Sequence, residues 1–243
     1  MKNHNTFNHD YHRKFHDIVH NIYKKKYNNF QTFETIHLLL NENVKLKEYY
    51  NEMPIFGKTD RESELVTTFY NEMNINYTFL NEYLNFIKSN IKPLFPDETY
   101  LIVQKMPNIR FHLPNCTNIG KRESDPYLDT IGVHTDREFG HNTNELNVIL
   151  PITKMFDTNS IFYEENPDSS QDVRTFNSAL LNENEFGIHL FNKCRHYNKI
   201  NNTNVTRVSF DFRIIPYSKF ISEDVKSATK NVKFDLGDYY MLV

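Results

Sequence analysis

The spacing of apolar side chains changes near residue 96. Before that point they recur every three or four positions. In NHDYHRKFHDIVHNIYKKKY, the residues Tyr11, Phe15, Ile18, Val19, Ile22 and Tyr23 fall on one helical face. The same spacing predicts a second helix near Phe33 to Leu46. It predicts a third whose stripe runs through Leu65, Phe69, Met73, Leu80, Leu84, Ile87 and Ile91, with Thr59 and Glu62 as a capping box and Pro93 as its stop. Beyond Pro96 the chain switches to short β-rich runs separated by Asn-, Asp- and Pro-bearing turns. These are TYLIVQKM, LDTIGVHTD, LNVILPIT, SIFYEE, DVRTF, FGIHLF, CRHYN and TRVSFDFRIIPY. Such a series points to an antiparallel sandwich or barrel and away from a βαβ sheet. Residues 1–96 are therefore expected to be a helical region bracing a β-core of residues 97–243, the two forming one structural unit, with no internal repeat and no long linker.

Composition narrows the classes. A chain of 243 residues, 39% hydrophobic and 24% charged, has a core to bury and is not a disordered polymer. A formal net charge of -3 and a pI near 6.4 give no electrostatic reason to expect nucleic acid or an anionic membrane as partner. The opening MKNHNTFNHDYHRKF is too polar for a signal peptide, and no apolar run approaches the ~20 residues of a membrane span, so the expected location is cytoplasmic. Two cysteines, Cys116 and Cys194, make neither a disulfide framework nor a zinc cluster.

The chemistry begins where an apolar run ends on His134 with Asp136 two residues later. Downstream, KCRHYNK puts His196 on another β-run, and TRVSFDFR carries Arg207 eleven residues beyond it, with Ser209 on the same strand face. Two imidazoles and one carboxylate on one side of a metal leave three positions open, the facial triad of non-haem Fe(II) oxygenases. A 2-oxoacid chelating that metal needs a bidentate cation for its far carboxylate, a task suited to arginine.

His134-x-Asp136, a distal His196 and Arg207-x-Ser209 resemble the Fe(II)/2-oxoglutarate-dependent dioxygenases, whose fold is a double-stranded β-helix (a jelly-roll, cupin-like), here mainly β with α and braced by N-terminal helices. The His196-to-Arg207 spacing resembles the phytanoyl-CoA-hydroxylase-like branch. QKMPNIRFHLP, HTDREFGHNTNELNVILPIT, NSIFYEE, NNTNVTRVSFDFR and FDLGDYY resemble oxygenases of antibiotic and surface-carbohydrate clusters, the streptomycin-cluster type. The resemblance covers about residues 98 to 243, and it implies Fe(II) on His134, Asp136 and His196, and 2-oxoglutarate on Arg207 and Ser209. It further implies O2 as co-reactant and hydroxylation of a small polar molecule such as a sugar-linked metabolite. Tyr197 departs from the pattern, which often has glycine after the distal histidine.

Several residues compete for these roles. His189 lies on a more apolar run than His196 and farther from Arg207. Arg213, six residues past Arg207, matches an offset used by nucleic-acid demethylases of the same superfamily, but Asp211 offers it a structural partner. Gln104, Arg110 and Asn147 are candidates for substrate contact, with His112, Thr153, Asn159, Glu164, Cys194 and His141 as further pocket positions. The ladder His9, His12, His16, His20 reads as the solvated edge of a helix, and FGKTD around Lys58 lacks the glycine cradle of a phosphate loop. The rival functions are a cupin-like metal-dependent isomerase or hydrolase, which has no use for Arg207-x-Ser209, and a non-catalytic jelly-roll, which has no need of all three ligands.

Overall fold

A computed structural model describes residues 3–41, 43, 45–50, 60–73, 77–116, 132–167, 175–222 and 232–243. The helices are α1 (His12–Lys26), α2 (Glu64–Met73) and α3 (Thr78–Phe86), the last running on through a π-helical turn at Ile87–Ile91 and a 3-10 turn at Lys92–Leu94 that contains Pro93. The strands are β1 (His4–Asn8), β2 (Leu101–Gln104), β3 (Asn108–His112), β4 (Leu146–Pro151), β5 (Ile161–Glu164), β6 (Phe176–Ser178), β7 (Glu185–His189), β8 (His196–Asn198), β9 (Arg207–Pro216) and β10 (Tyr240–Leu242). No helix among the described residues is long and apolar enough to cross a membrane.

The larger sheet has the order β1-β7-β4-β9-β2-β10, with β3 also paired to β9; the smaller has the order β6-β5-β8. All of these pairings are antiparallel. Between β3 and β9 the chain passes back and forth between the sheets, and a bridge from His134 to His196 places the His134 segment beside β8. Ile149 of β4 joins Ile161 and Tyr163 of β5 in one apolar cluster, so the two sheets pack on each other.

Strand β9 organises the rest, being buried at all ten positions. Because side chains alternate across a strand, Val208, Phe210, Phe212 and Ile214 share one face and Arg207, Ser209, Asp211 and Arg213 the other. The apolar face receives the helices: Phe15, Phe69 and Phe79 pack on Phe210, and Tyr83 meets Phe212 edge-on. Burying such side chains stabilises by about 1.5–3 kcal/mol each. The polar face points between the sheets, where every charge needs a partner.

The described residues differ from the sequence expectation in several places. The region expected to be helical opens on a strand, β1, because HNTFN has no apolar alternation and is recruited through its backbone ladder to β7 and the stack of Phe7 on Phe186. The second helix is a 3-10 segment, Ile36–Asn41, followed by helical backbone over 45–50. The third is two helices, and Ser63 caps α2 by accepting the Val66 N–H at 3.3 Å; Thr59 and Lys58 lie outside the described residues. The run TYLIVQKM supplies β2, with β3 following it as a separate strand in NIRFH, and the strand expected over Leu128–Asp136 is, from Gly132 on, a single bridge at His134. Residues 128–131, like Asp172 to Arg174 of the DVRTF run, lie outside the described residues.

Candidate metal centre

His134 and His196 face each other because their backbones exchange two hydrogen bonds, of 3.2 and 2.9 Å. One residue on, Thr135 turns the chain: its N–H and hydroxyl both donate to Glu138, opening a 3-10 turn over Asp136–Phe139 that closes at Gly140, whose φ of +82° suits glycine. The Asp136 N–H donates to the Phe191 carbonyl at 2.8 Å. This turn swings the Asp136 carboxylate back onto the two imidazoles. Oδ1 lies 3.5 Å from His196 Nε2 and 4.0 Å from His134 Nε2. One ligand atom from each of the three residues lies within 4.8 Å of the others, and all three residues are buried.

The ring tautomers suit metal binding. His134 Nδ1–H donates to the Gly132 carbonyl at 2.6 Å and His196 Nδ1–H to the Cys194 carbonyl at 3.4 Å, which turns both Nε2 lone pairs toward Oδ1. Burial, reinforced by neighbouring His134, pushes His196 down to about 3, so the ring is neutral near pH 7. Phe191 stacks on His196 at 4.1 Å and Phe139 meets His134 edge-on at 5.1 Å, limiting rotation of both rings.

The second oxygen of Asp136 is held from the larger sheet. Oδ2 accepts from Asn147 Nδ2 at 2.6 Å and from Arg213 Nη2 at 2.8 Å. Burial alone would raise the Asp136 carboxyl, but Arg213, then His196, His141 and His134, hold it well below the usual carboxylate range. Oδ1 alone is thus offered to a metal.

Behind Arg213 lies a network of buried charge. Arg213 bonds Asp211, whose Oδ2 accepts from Arg110 Nε at 2.7 Å; Arg110 Nη1 in turn donates to Asp60 Oδ1 at 2.9 Å. Arg110 and Arg213 keep the Asp211 carboxyl low against its burial, whereas burial raises that of Asp60 against the pull of Arg110 and Arg61. Glu145, fully buried, accepts from the Tyr240 hydroxyl and pairs with His141 Nδ1 at 2.9 Å, with Arg213 Nε at 4.0 Å.

The sequence candidates sort as follows. Asn147 and Arg213 contact the Asp136 carboxylate directly, roles that linear spacing does not reveal. Arg110 serves two carboxylates, and Asp211 pairs with Arg213 as expected. Arg207 and Ser209 lie buried on the inner face of β9, with Arg207 Nη1 donating to Asn198 Oδ1 at 3.3 Å and its guanidinium pushed down to about 10 by burial. The Gln104 amide donates to the Met106 carbonyl at 2.6 Å, and its Oε1 is buried with no hydrogen-bond partner. His189 stands apart from the triad: its Nδ1 meets His4 Nδ1 at 3.1 Å and its ring lies over Gly187. The helical histidines make a ladder of ring contacts, 5.8 Å for His12–His16 and 5.6 Å for His16–His20. Among the described residues, His134, Asp136 and His196 are the one group placed to hold a metal. Asp60 and Glu145 were not found from sequence; a buried carboxylate in a polar stretch carries no periodic signal.

No family model matches the chain. It is 30% identical over 140 residues to the streptomycin biosynthesis protein StrG of Streptomyces griseus, a match covering 57% of this chain and 58% of that protein's length. Among solved structures it is similar to the nickel complex of the non-haem monooxygenase ThoJ, with 13% identity, a TM-score of 0.38, and 77% of this chain and 72% of that one covered. It is also similar to HygX from Streptomyces hygroscopicus with nickel and 2-oxoglutarate bound, with 12% identity, a TM-score of 0.33, and 72% and 86% covered.

Proposed function

We propose that this protein is an Fe(II)- and 2-oxoglutarate-dependent oxygenase built on a double-stranded β-helix, acting on a C–H bond of a small polar metabolite. The observation that carries the reading is the convergence of two buried imidazoles and one half of a carboxylate whose other half is tied back. Such a donor set fits Fe(II) and leaves coordination positions for a cosubstrate and O2. The back-and-forth passage of β3 to β9 between two sheets supports the jelly-roll. The eleven residues from His196 to Arg207 support a place near the phytanoyl-CoA-hydroxylase-like branch.

The far end of the polar face of β9 fits a carboxylate. Arg207 and Ser209 lie there, and His112, paired with Arg207 from the neighbouring strand β3, has its Nε2 3.0 Å from the Cys116 carbonyl and its Nδ1 3.2 Å from the Asn159 carbonyl. Asn159 Nδ2 and Ser160 Oγ are buried without a hydrogen-bond partner, so this end of the fold has spare donors. When bound, Fe(II) with 2-oxoglutarate and O2 supplies the oxidising chemistry, converting the cosubstrate to succinate and CO2 and placing one oxygen atom on the substrate. The chain's own part is to keep His134 and His196 oriented, His196 neutral and Asp136 ionised. Arg207 and Ser209 bind the remote carboxylate. Asp136 occupies the position that a halide would need, which favours hydroxylation over halogenation. The likeness to a streptomycin biosynthesis protein supports a sugar or sugar-linked substrate.

Anaerobic titration of Fe(II) and 2-oxoglutarate into the protein tests this through the visible metal-to-ligand charge-transfer band. We expect a band in the wild type, none with His196→Ala, and a much higher 2-oxoglutarate requirement with Arg207→Ala. Folded, iron-loaded protein with no such band would refute the oxygenase and bring forward a cupin-like isomerase or hydrolase.

A further inference from the structure

The buried ions form a row of alternating sign: Asp60, Arg110, Asp211, Arg213, Asp136. It starts in the 3-10 turn Asp60–Glu62 before α2, crosses β3 and β9, and ends on the carboxylate that faces the two histidines. Asp60 has no exposed surface, and besides Arg110 its Oδ2 accepts the Phe111 N–H at 3.4 Å. Asp211 is further held by Asn108 Nδ2 at 2.8 Å. Three of the links are 2.9 Å or shorter, and the fourth, Arg213 to Asp211, is a direct hydrogen bond as well.

In such a row each inner ion divides its attraction between its neighbours, Arg213 having Glu145 at 4.0 Å as a third, and low local dielectric makes the division matter. We propose that Asp60 is a positioning residue for the metal centre, setting through this row how much of the Asp136 carboxylate is left for the metal. The proposal rests on the metal-centre reading. Its sign follows from the alternation. Without the Asp60 charge, Arg110 turns wholly to Asp211, Asp211 releases Arg213, and Arg213 draws harder on Asp136, weakening metal binding. Removing Asp60 and Arg110 together leaves Arg213 as the cation of the row that Asp211 bonds, beside the neutral Asn108 amide, which relaxes Arg213's hold on Asp136 and strengthens metal binding. Mere loosening of the fold would do otherwise: the double variant would bind no better than the single.

The test is Co(II) titration of wild type, Asp60→Asn and Asp60→Asn/Arg110→Gln at mildly alkaline pH, read by the visible d–d bands, with circular dichroism confirming the fold. Asp60→Asn should raise the Co(II) Kd roughly three- to tenfold, within the range of long-range coupling energies, and the double variant should bind more tightly than wild type. Removing both ions avoids an unpaired buried charge, so the double variant decides alone if the single one does not fold. An unchanged Kd in Asp60→Asn, or a double variant no tighter than wild type, overturns the relay and leaves the metal centre standing. A wild-type chain with no d–d bands overturns the metal centre and the relay with it.

Discussion

Arg213 is the cation on which the site's acidity depends, and replacing it with glutamine should expose that dependence. Its guanidinium contacts Asp136 and Asp211 and lies 4.0 Å from Glu145, all largely or wholly buried. Glutamine keeps a donor but removes the charge. Breaking a buried pair from one side costs about 3–5 kcal/mol. Against a total stability of about 5–15 kcal/mol, that is a large fraction without certain unfolding. The pH dependence is the sharper signature. In the wild type the Asp136 and Asp211 carboxyls are lower folded than unfolded, so their stabilisation is present above the unfolded value of about 3.9 and is lost as pH falls toward the folded values. In Arg213→Gln the burial of Asp136 is no longer opposed by its strongest partner, and its folded pKa rises above the unfolded one. The ionised group then disfavours folding near neutrality, and protonation relieves the penalty. Urea unfolding of metal-free protein, in chelator, between about pH 7 and 4 should therefore show the gap between wild type and variant narrowing with acidification. A loss below about 1 kcal/mol, or a gap that does not change with pH, would refute this account of the network.

Three further outcomes are expected. Asn147→Ala removes the neutral one of the two donors on Asp136 Oδ2, leaving that oxygen to Arg213 and the carboxylate less firmly aimed, and should weaken metal binding about 10–100-fold, measured by Co(II) titration, with the melting temperature little changed. Gly187→Ala would set its Cβ 2.5 Å from His189 Nε2, a ring held by His4 and Phe191; overpacking of that kind costs about 1–3 kcal/mol, readable as a lower urea midpoint at constant m-value. Saturating Fe(II) at about a hundred times its Kd should add about 2.7 kcal/mol to the unfolding free energy, and a chelator should abolish the gain; no shift would mean no binding to the folded chain.

His134, Asp136 and His196 are legible in the sequence because the ligand types and their order carry the chemistry whatever the strand lengths turn out to be. The apolar half of β9 is legible for a similar reason: a period of two survives inside a fully buried strand. Arg213 was set second to Arg207 because the chain shows only its neighbour Asp211, whereas its contact with Asp136 depends on the Asn147–Arg213 register between β4 and β9. Asp60, in the polar run DRESE, looks like solvated surface until folding sets it against Arg110, fifty residues away. The strand HNTFN was read as part of a helical region because an edge strand is recruited by hydrogen bonds that any side chains permit.

That edge strand has a consequence for how the molecule is made. His4 pairs with His189, 185 residues later in the chain, and the loop between them holds most of both sheets. Ribosomes add about 5–20 residues per second, so β1 waits roughly 10–40 s for its partner to be synthesised. During that interval its backbone N–H and C=O groups stay open to any other extended chain. Contacts so distant in sequence slow folding and lengthen exposure to aggregation. Hence β1 is where a chaperone, a slower translation rate or a lower expression temperature should most improve the yield of folded protein.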